Sequence, residues 1–487
     1  MSSDANTSAA SPRRLAGQGA LLFAGYGAAQ GLSFVRNALI GHALSKDNFG
    51  IAATITLILQ MIETLSDLGA DRLIVQASDG DEPRFLGSAH TLLAARGILL
   101  GCILFLSGPL LAQFFGAAQA SAAFQLAALA PMIKGFMHLD YRVAQRRFDN
   151  RPQMLVEVLP QAAALLLTLP VLAATRDYTA VVSLSIAQAL AGVLLSHAMA
   201  QRSYRLAFDT AVLKRQLAFG WPILASSLPL IAVYQGDRLI IGHLSGLEAL
   251  ANYTAAFMVT MVPGLIAAKV GHALLLPVFS DNVRRGRSLL PKFKIAAEAT
   301  VLLAAVYLAG FIVCGGALLP IVFGAHYVNL GAVTAWLAGM WALRMIQAVP
   351  GMALMAHGAT KPFFVAGVIR ALALPCILWA AIHDVSIATL AAVGFVFEAL
   401  SLAYVAVRLE AVEAGLGSTL FMRSAFIVPG ALVAMLSSSA VPDNALSACV
   451  ASSLVMLAIG ASGLTMMPSL NALLRRALQS RAIPAAF

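Results

Sequence analysis

Charge is scarce in this 487-residue chain. Only 11% of its residues are Asp, Glu, Lys or Arg, against about a quarter in a soluble domain. The scarcity runs from end to end, which excludes a soluble domain with a single anchor. Cysteine is nearly absent too: Cys102, Cys314, Cys376 and Cys449 stand far apart, with no C-x-x-C among them. That spacing excludes a disulfide framework and a cysteine metal centre. No P-loop, dinucleotide fingerprint, zinc motif or nucleophile elbow occurs. No cofactor, metal site or catalytic residue is therefore expected, and ATP-driven transport is excluded. The net charge of +10 is scattered rather than blocked, so it points away from nucleic acid.

Apolar residues fill the space that charge leaves. They make up 60% of the chain, with a mean hydropathy of +0.84. A helix crosses the hydrocarbon core with roughly 20 apolar residues. Fourteen such runs can be read, near 19–41, 50–68, 86–112, 118–137, 153–174, 179–200, 220–242, 250–279, 293–322, 331–356, 362–382, 386–407, 419–440 and 446–466. They are longer and more uniformly apolar than transmembrane strands. The expectation is an all-α polytopic membrane protein with about 14 transmembrane helices.

Alternating the loops between two sides puts 23 basic residues on one side and only Lys46 and Arg176 on the other. By the positive-inside rule the first side is cytoplasmic, with both termini there. Ser11-Pro12-Arg13-Arg14 precedes the first apolar run, but no small-residue cleavage site follows it, so a retained helix is expected. Membrane lipids are an expected partner.

The linkers are short, as in a helix bundle. The division expected is an N-terminal lobe over 1–200, a cytoplasmic linker over 201–219 and a C-terminal lobe over 220–410. Two further helices follow over 411–467, then a tail over 468–487. In that tail Leu470, Leu473, Leu474 and Leu478 share one face, as in an interfacial helix. A faint repeat crosses the linker. Ile40-Gly41-His42 precedes Asn48-Phe49-x-x-Ala52, and Ile241-Gly242-His243 precedes Asn252-Tyr253-x-x-Ala256. Arg36 and Arg238 stand ahead of the two copies. The repeat implies two six-helix halves in a parallel pseudo-twofold arrangement about an axis along the membrane normal. Gly27-x-x-x-Gly31 in the first run reads as a small-residue packing stripe.

Charges inside the runs carry the functional signal. A charge at mid-bilayer costs about 2.5–3.5 kcal/mol even on the permissive insertion scale. The deepest are Arg96, Lys269, Arg344, Arg370 and Glu398, four cations to one anion. A cavity lined by the four cations favours an anionic substrate, and guanidinium donors match phosphate oxygens. Ion pairs that hold helices together are the structural alternative. Arg36, Asp237 and Arg238 lie nearer the helix ends, where they are gate or headgroup candidates. Glu398, the lone deep acid, is the candidate for ion coupling. His90, His272 and His357 are either proton shuttles or hydrogen-bonded packing residues.

Several short segments resemble the Wzx-type polysaccharide flippases of the multidrug/oligosaccharidyl-lipid/polysaccharide (MOP) exporter superfamily. They are Arg36 through Gly50, Asp67-Leu-Gly-Ala-Asp71, Gly236-Asp237-Arg238-Leu-Ile-Ile-Gly242 with Asn252-Tyr253, and Phe323-Gly324-Ala-His-Tyr327. Their order and spacing carry the likeness, over roughly 15–410. The resemblance implies two six-helix lobes around a central cavity, alternating access, and translocation of an undecaprenyl-diphosphate-linked oligosaccharide across the bacterial inner membrane. It also implies a polysaccharide polymerase and export machinery as partners. A multidrug or cation antiporter shares that fold, and lipid II is a rival cargo. A polysaccharide polymerase is expected to carry a large periplasmic loop, which this sequence lacks.

Overall fold

The computed structural model describes residues 12–147, 149–359, 361–425 and 445–481. The described elements are helical throughout. The first are α1 (Pro12–Ala43), α2 (Lys46–Leu65), α3 (Ala70–Gln76), α4 (Pro83–Phe114), α5 (Ser121–Ala127), α6 (Leu129–Lys134) and α7 (Asp140–Arg146). Next come α8 (Arg151–Thr175), α9 (Thr179–Ala198), α10 (Thr210–Ile240), α11 (Leu247–Arg284), α12 (Leu290–Phe323) and α13 (Gly331–Ala356). The last are α14 (Lys361–Ala371), α15 (Ala373–Ile382), α16 (Ile387–Val412), α17 (Leu416–Ala425), α18 (Ala445–Met466) and α19 (Pro468–Arg481).

Among the described residues ten helices are long and apolar enough to cross a membrane. The remaining expected spans fall elsewhere. The first is α1. The segment 118–137 is broken into a 3-10 turn and two short helices. Pro131, lacking an N–H, weakens the helix one turn earlier, where α5 ends and α6 begins. Most of 419–440 lies outside the described residues. The last span contains a 17-residue apolar helix, Val450–Met466.

The chain divides into two compact units, Met1–Ile231 and Ala232–Phe487, and the division falls within α10. In the first unit α8 packs against α1 and α9, while α4 packs against α5 and α6. Gly97 of α4 and Gly135 just after α6 form the tight crossing. A Cβ at Gly97 would stand 2.7 Å from the Gly135 Cα. At Gly27 and Gly31, by contrast, a Cβ would meet no described atom within 4 Å, so the packing stripe lies at Gly97 and Gly135 instead. In the second unit α13 is the central helix, packed against α11, α12 and α16. Its run of Ala, Gly and Met lets neighbours approach from several sides.

Of the residues expected as linker, only 201–209 are outside helices, because α10 begins at Thr210. This segment is stitched to the first unit. Asp140 accepts from the Gln201 backbone N–H at 2.8 Å and from Arg202 at 2.6 Å. His138 Nδ1 accepts the Asp140 N–H at 3.1 Å, so its Nε2 donates to the Arg202 carbonyl at 3.0 Å. His90 accepts the Leu139 N–H at 3.1 Å and bonds the Arg205 carbonyl at 3.2 Å. His90 is thus a packing residue with both ring nitrogens engaged. His357 is likewise engaged, by the Ala353 carbonyl at 2.9 Å and by Glu413 at 3.4 Å; the His272 side chain lies outside the described ones.

The two repeat copies occupy equivalent local settings. Each Ile-Gly-His closes a helix before a tight turn into the next, at α1–α2 and, through a π turn over Ile241–Ser245, at α10–α11. Burial matches as well: Ile40 with Ile241, Phe49 with Tyr253, and Ala52 with Ala256 are each at most 2% exposed.

Candidate substrate site

Helical spacing builds a charged cluster in the second unit. Residues three or four apart share a helix face. Arg344 and Gln347 therefore project together from α13, Ala366 and Arg370 lie together on α14, and Glu398 and Ser401 lie together on α16. Glu398, with 1% of its side chain exposed, lies between two arginines. Its Oε2 accepts from Arg344 Nε at 3.0 Å, and its Oε1 stands 2.8 Å from Arg370 Nε. The second contact is an ion pair without hydrogen-bond alignment. Arg370 Nη2 donates to the Gln347 side-chain carbonyl. The Gln347 amide in turn donates to Ser401 at 3.2 Å, and the Ser401 hydroxyl donates to the Ala366 carbonyl at 3.3 Å.

Aromatic rings fix the planes of the guanidinium groups. Arg344 lies 4.8 Å from the centroids of both Tyr234 and Trp341. Such contacts add about 0.5–2 kcal/mol each, more when desolvated. Arg238 lies 4.5 Å over Phe257, which meets Trp341 edge-to-face at 5.9 Å. Arg238 Nη2 donates to the Tyr234 carbonyl at 2.8 Å, so Tyr234 joins the two arginines. Its neighbour Asp237 accepts from the Tyr253 hydroxyl at 2.6 Å. Three cations and two anions thus meet in one region. Arg344 Nη1 and Arg238 Nε are buried there with no hydrogen-bond partner among the described residues. A buried charged donor left without a partner is costly, so a guest anion would relieve both.

The structure brings Arg344, Arg370 and Glu398 into direct contact and sets Asp237 and Arg238 beside them. Arg344 has an acid for a partner after all, 54 residues along the chain. The other candidates have surroundings of their own. Arg96 donates to the Ser66 hydroxyl and to the Glu63 carbonyl, both at 3.0 Å. It thereby closes the C-terminal end of α2, where carbonyls lack helical partners. Arg36 donates to Gln188 of α9. Lys269 is exposed on α11. Sequence reading missed Gln347, Ser401, Tyr234, Tyr253 and Trp341. The three-residue spacings Arg344-x-x-Gln347 and Glu398-x-x-Ser401 were the signal available for two of them. Among the described residues no His, Cys, Asp and Glu group is arranged to hold a metal ion.

Comparison with known proteins gives the family and the fold. The profile of a family described as polysaccharide biosynthesis protein matches residues 42–331, more than half of the chain. The teichuronic acid biosynthesis protein TuaB of Bacillus subtilis (strain 168) is 24% identical over 330 residues, covering 67% of this chain and 68% of its own. Among solved structures, the lipid II flippase MurJ in an inward closed conformation superposes with a TM-score of 0.70. It covers 91% of this chain and 98% of its own at 12% identity. An inward-facing multidrug resistance MATE transporter of the MOP superfamily gives 0.58, covering 79% and 96% at 13% identity. At these identities the solved structures speak for the fold alone.

Proposed function

The chain belongs to the polysaccharide biosynthesis protein family and has the fold of the MOP-superfamily membrane transporters, and from that premise we propose that it is a flippase for a lipid-linked oligosaccharide. In this reading an undecaprenyl-diphosphate-linked repeat unit moves from the cytoplasmic to the periplasmic leaflet of a bacterial inner membrane by alternating access. Fourteen spans in two six-helix lobes with a C-terminal pair, and both termini cytoplasmic, complete the arrangement.

One observation carries the choice of substrate. Two guanidinium groups share a single carboxylate, and Arg344 Nη1 is buried with no hydrogen-bond partner among the described residues. The Arg344–Glu398–Arg370 group is net cationic, and its free donors suit phosphate oxygens. A cation antiporter would favour a region of net negative charge, whereas Glu398 lies between two arginines and cations outnumber anions three to two here. Asp237 with Arg238 supports the reading as a gate beside the cluster; Arg96 caps α2 and Arg36 bonds Gln188, and neither is needed for it. A lipid II cargo presents the same diphosphate chemistry and differs only in its sugars. Reconstituted vesicles loaded with a fluorescent lipid-linked oligosaccharide provide the test. Protein-dependent transfer between leaflets is expected; absence of transfer of any lipid-linked glycan would overturn the proposal.

A further inference from the structure

We infer that Glu398 is a positioning residue, setting a preference for a lipid diphosphate over a lipid monophosphate by holding the Arg344 and Arg370 guanidiniums side by side. The inference rests on the flippase reading and adds a specificity element to the same site.

The contacts are edge-selective. Glu398 meets both arginines at Nε, 3.0 Å from Arg344 and 2.8 Å from Arg370. A guanidinium presents its donors in a rigid planar fork, so a carboxylate at Nε leaves the outer Nη edge to other partners, Gln347 taking Nη2 of Arg370. At Arg344 that edge carries a buried donor, Nη1, with no partner among the described residues. Each plane is also held from outside the pair. Tyr234 and Trp341 flank Arg344 at 4.8 Å, and the Gln347–Ser401–Ala366 chain of hydrogen bonds holds Arg370. Without the carboxylate the two cations would repel each other in a medium of low dielectric.

A diphosphate offers two phosphoryl groups on one bridging oxygen, one for each guanidinium. A monophosphate can satisfy only one. Glu398 costs the site one unit of positive charge and fixes the spacing, and these two effects have opposite signs in Glu398→Gln. If the carboxylate acted through charge alone, the variant would bind both headgroups more tightly, and the more highly charged diphosphate the more so. If it positions, the diphosphate loses its second contact while the monophosphate keeps its single one.

The test titrates the full-length protein in nanodiscs with a polyisoprenyl diphosphate and a polyisoprenyl monophosphate. The wild type is expected to prefer the diphosphate by about 10- to 150-fold, the value of one charge-assisted contact. In Glu398→Gln the ratio should fall close to one. Glu398→Asp keeps the charge but retracts it by one methylene, so the ratio should fall there too; it is the readout if the Gln variant does not fold. A ratio that does not fall in either variant, whether unchanged or raised, would overturn the positioning role and leave the flippase reading intact. If the wild type binds neither probe, the flippase reading itself fails, and the inference with it.

Discussion

The Arg423 guanidinium lies 3.0 Å from Glu298, a carboxylate with none of its side chain exposed. The other Glu298 oxygen accepts the Leu470 backbone N–H at 2.8 Å. One buried acid of α12 thus ties down α17 and caps the first turn of α19, where a negative charge also suits the helix dipole. Glu298→Gln should leave Arg423 without its counter-charge. Breaking a buried pair in this way costs about 3–5 kcal/mol. Faster tryptic cleavage at Arg475, with a lowered Tm, is the expected result. Unchanged cleavage would mean that α19 is held by lipid contact instead.

Arg344→Ala and Arg370→Ala should each weaken export of surface polysaccharide, measured per cell and normalised to folded protein. Losing one charge-assisted contact corresponds to about 10- to 150-fold in binding. Arg344→Lys should recover only part, because lysine keeps the charge and loses the fork. Full export in both alanine variants would end the anionic-headgroup model.

Arg96 should behave differently. Its donors close the end of α2 through Ser66 and Glu63, so Arg96→Ala should lower stability by about 1.5–3 kcal/mol. The folded fraction should transport at a rate close to wild type. Normal Tm with lost transport would return Arg96 to the substrate path.

The stitch on the 201–209 segment should open in acid. Burial lowers the His138 pKa below its ordinary 6.5, against an opposing contribution from the Arg202 carbonyl. Burial pushes the Asp140 carboxyl up, but the Gln201 N–H and Arg202 outweigh it and hold it below the usual range. Both groups therefore bind fewer protons folded than unfolded, so both stabilise at higher pH. The His138 contribution is present above its unfolded pKa and is lost as pH falls from 6.5 through the folded value. The Asp140 contribution is lost only in stronger acid. Amide-exchange protection of Asp140 and Gln201 should thus fall between about pH 7.5 and about pH 5.5. In His138→Ala it should be low at both. Protection insensitive to pH in the wild type would exclude the histidine.

Sidedness is open to cysteine labelling. On a cysteine-free background, residues in 201–209 and 285–289 should be reached only from the cytoplasmic side. Labelling there by a membrane-impermeant reagent in intact cells would invert the topology.

The long spans were legible because lipid leaves little choice: a run of about 20 apolar residues must satisfy its backbone internally, as a helix. The broken segment 118–137 was less legible, since hydropathy averages over Pro131 and does not register the lost hydrogen bond. The repeat could be read as sequence, and the matched burial of Ile40 with Ile241 and Phe49 with Tyr253 gives it a physical basis.

The sequence by itself determined that the chain is a multi-helical membrane protein and which charges lie deep in its helices. Composition and run length suffice for that, because insertion depends on each segment's own transfer energy. Only the tertiary structure decided which charges meet. Arg344 and Glu398 are 54 residues apart and come together only where α13 packs on α16. Packing within each unit gave these cations different partners: Arg96 caps α2, while Arg344 and Arg370 share one carboxylate. Depth is local and can be read along the chain; pairing is set by helix packing, which no single span encodes.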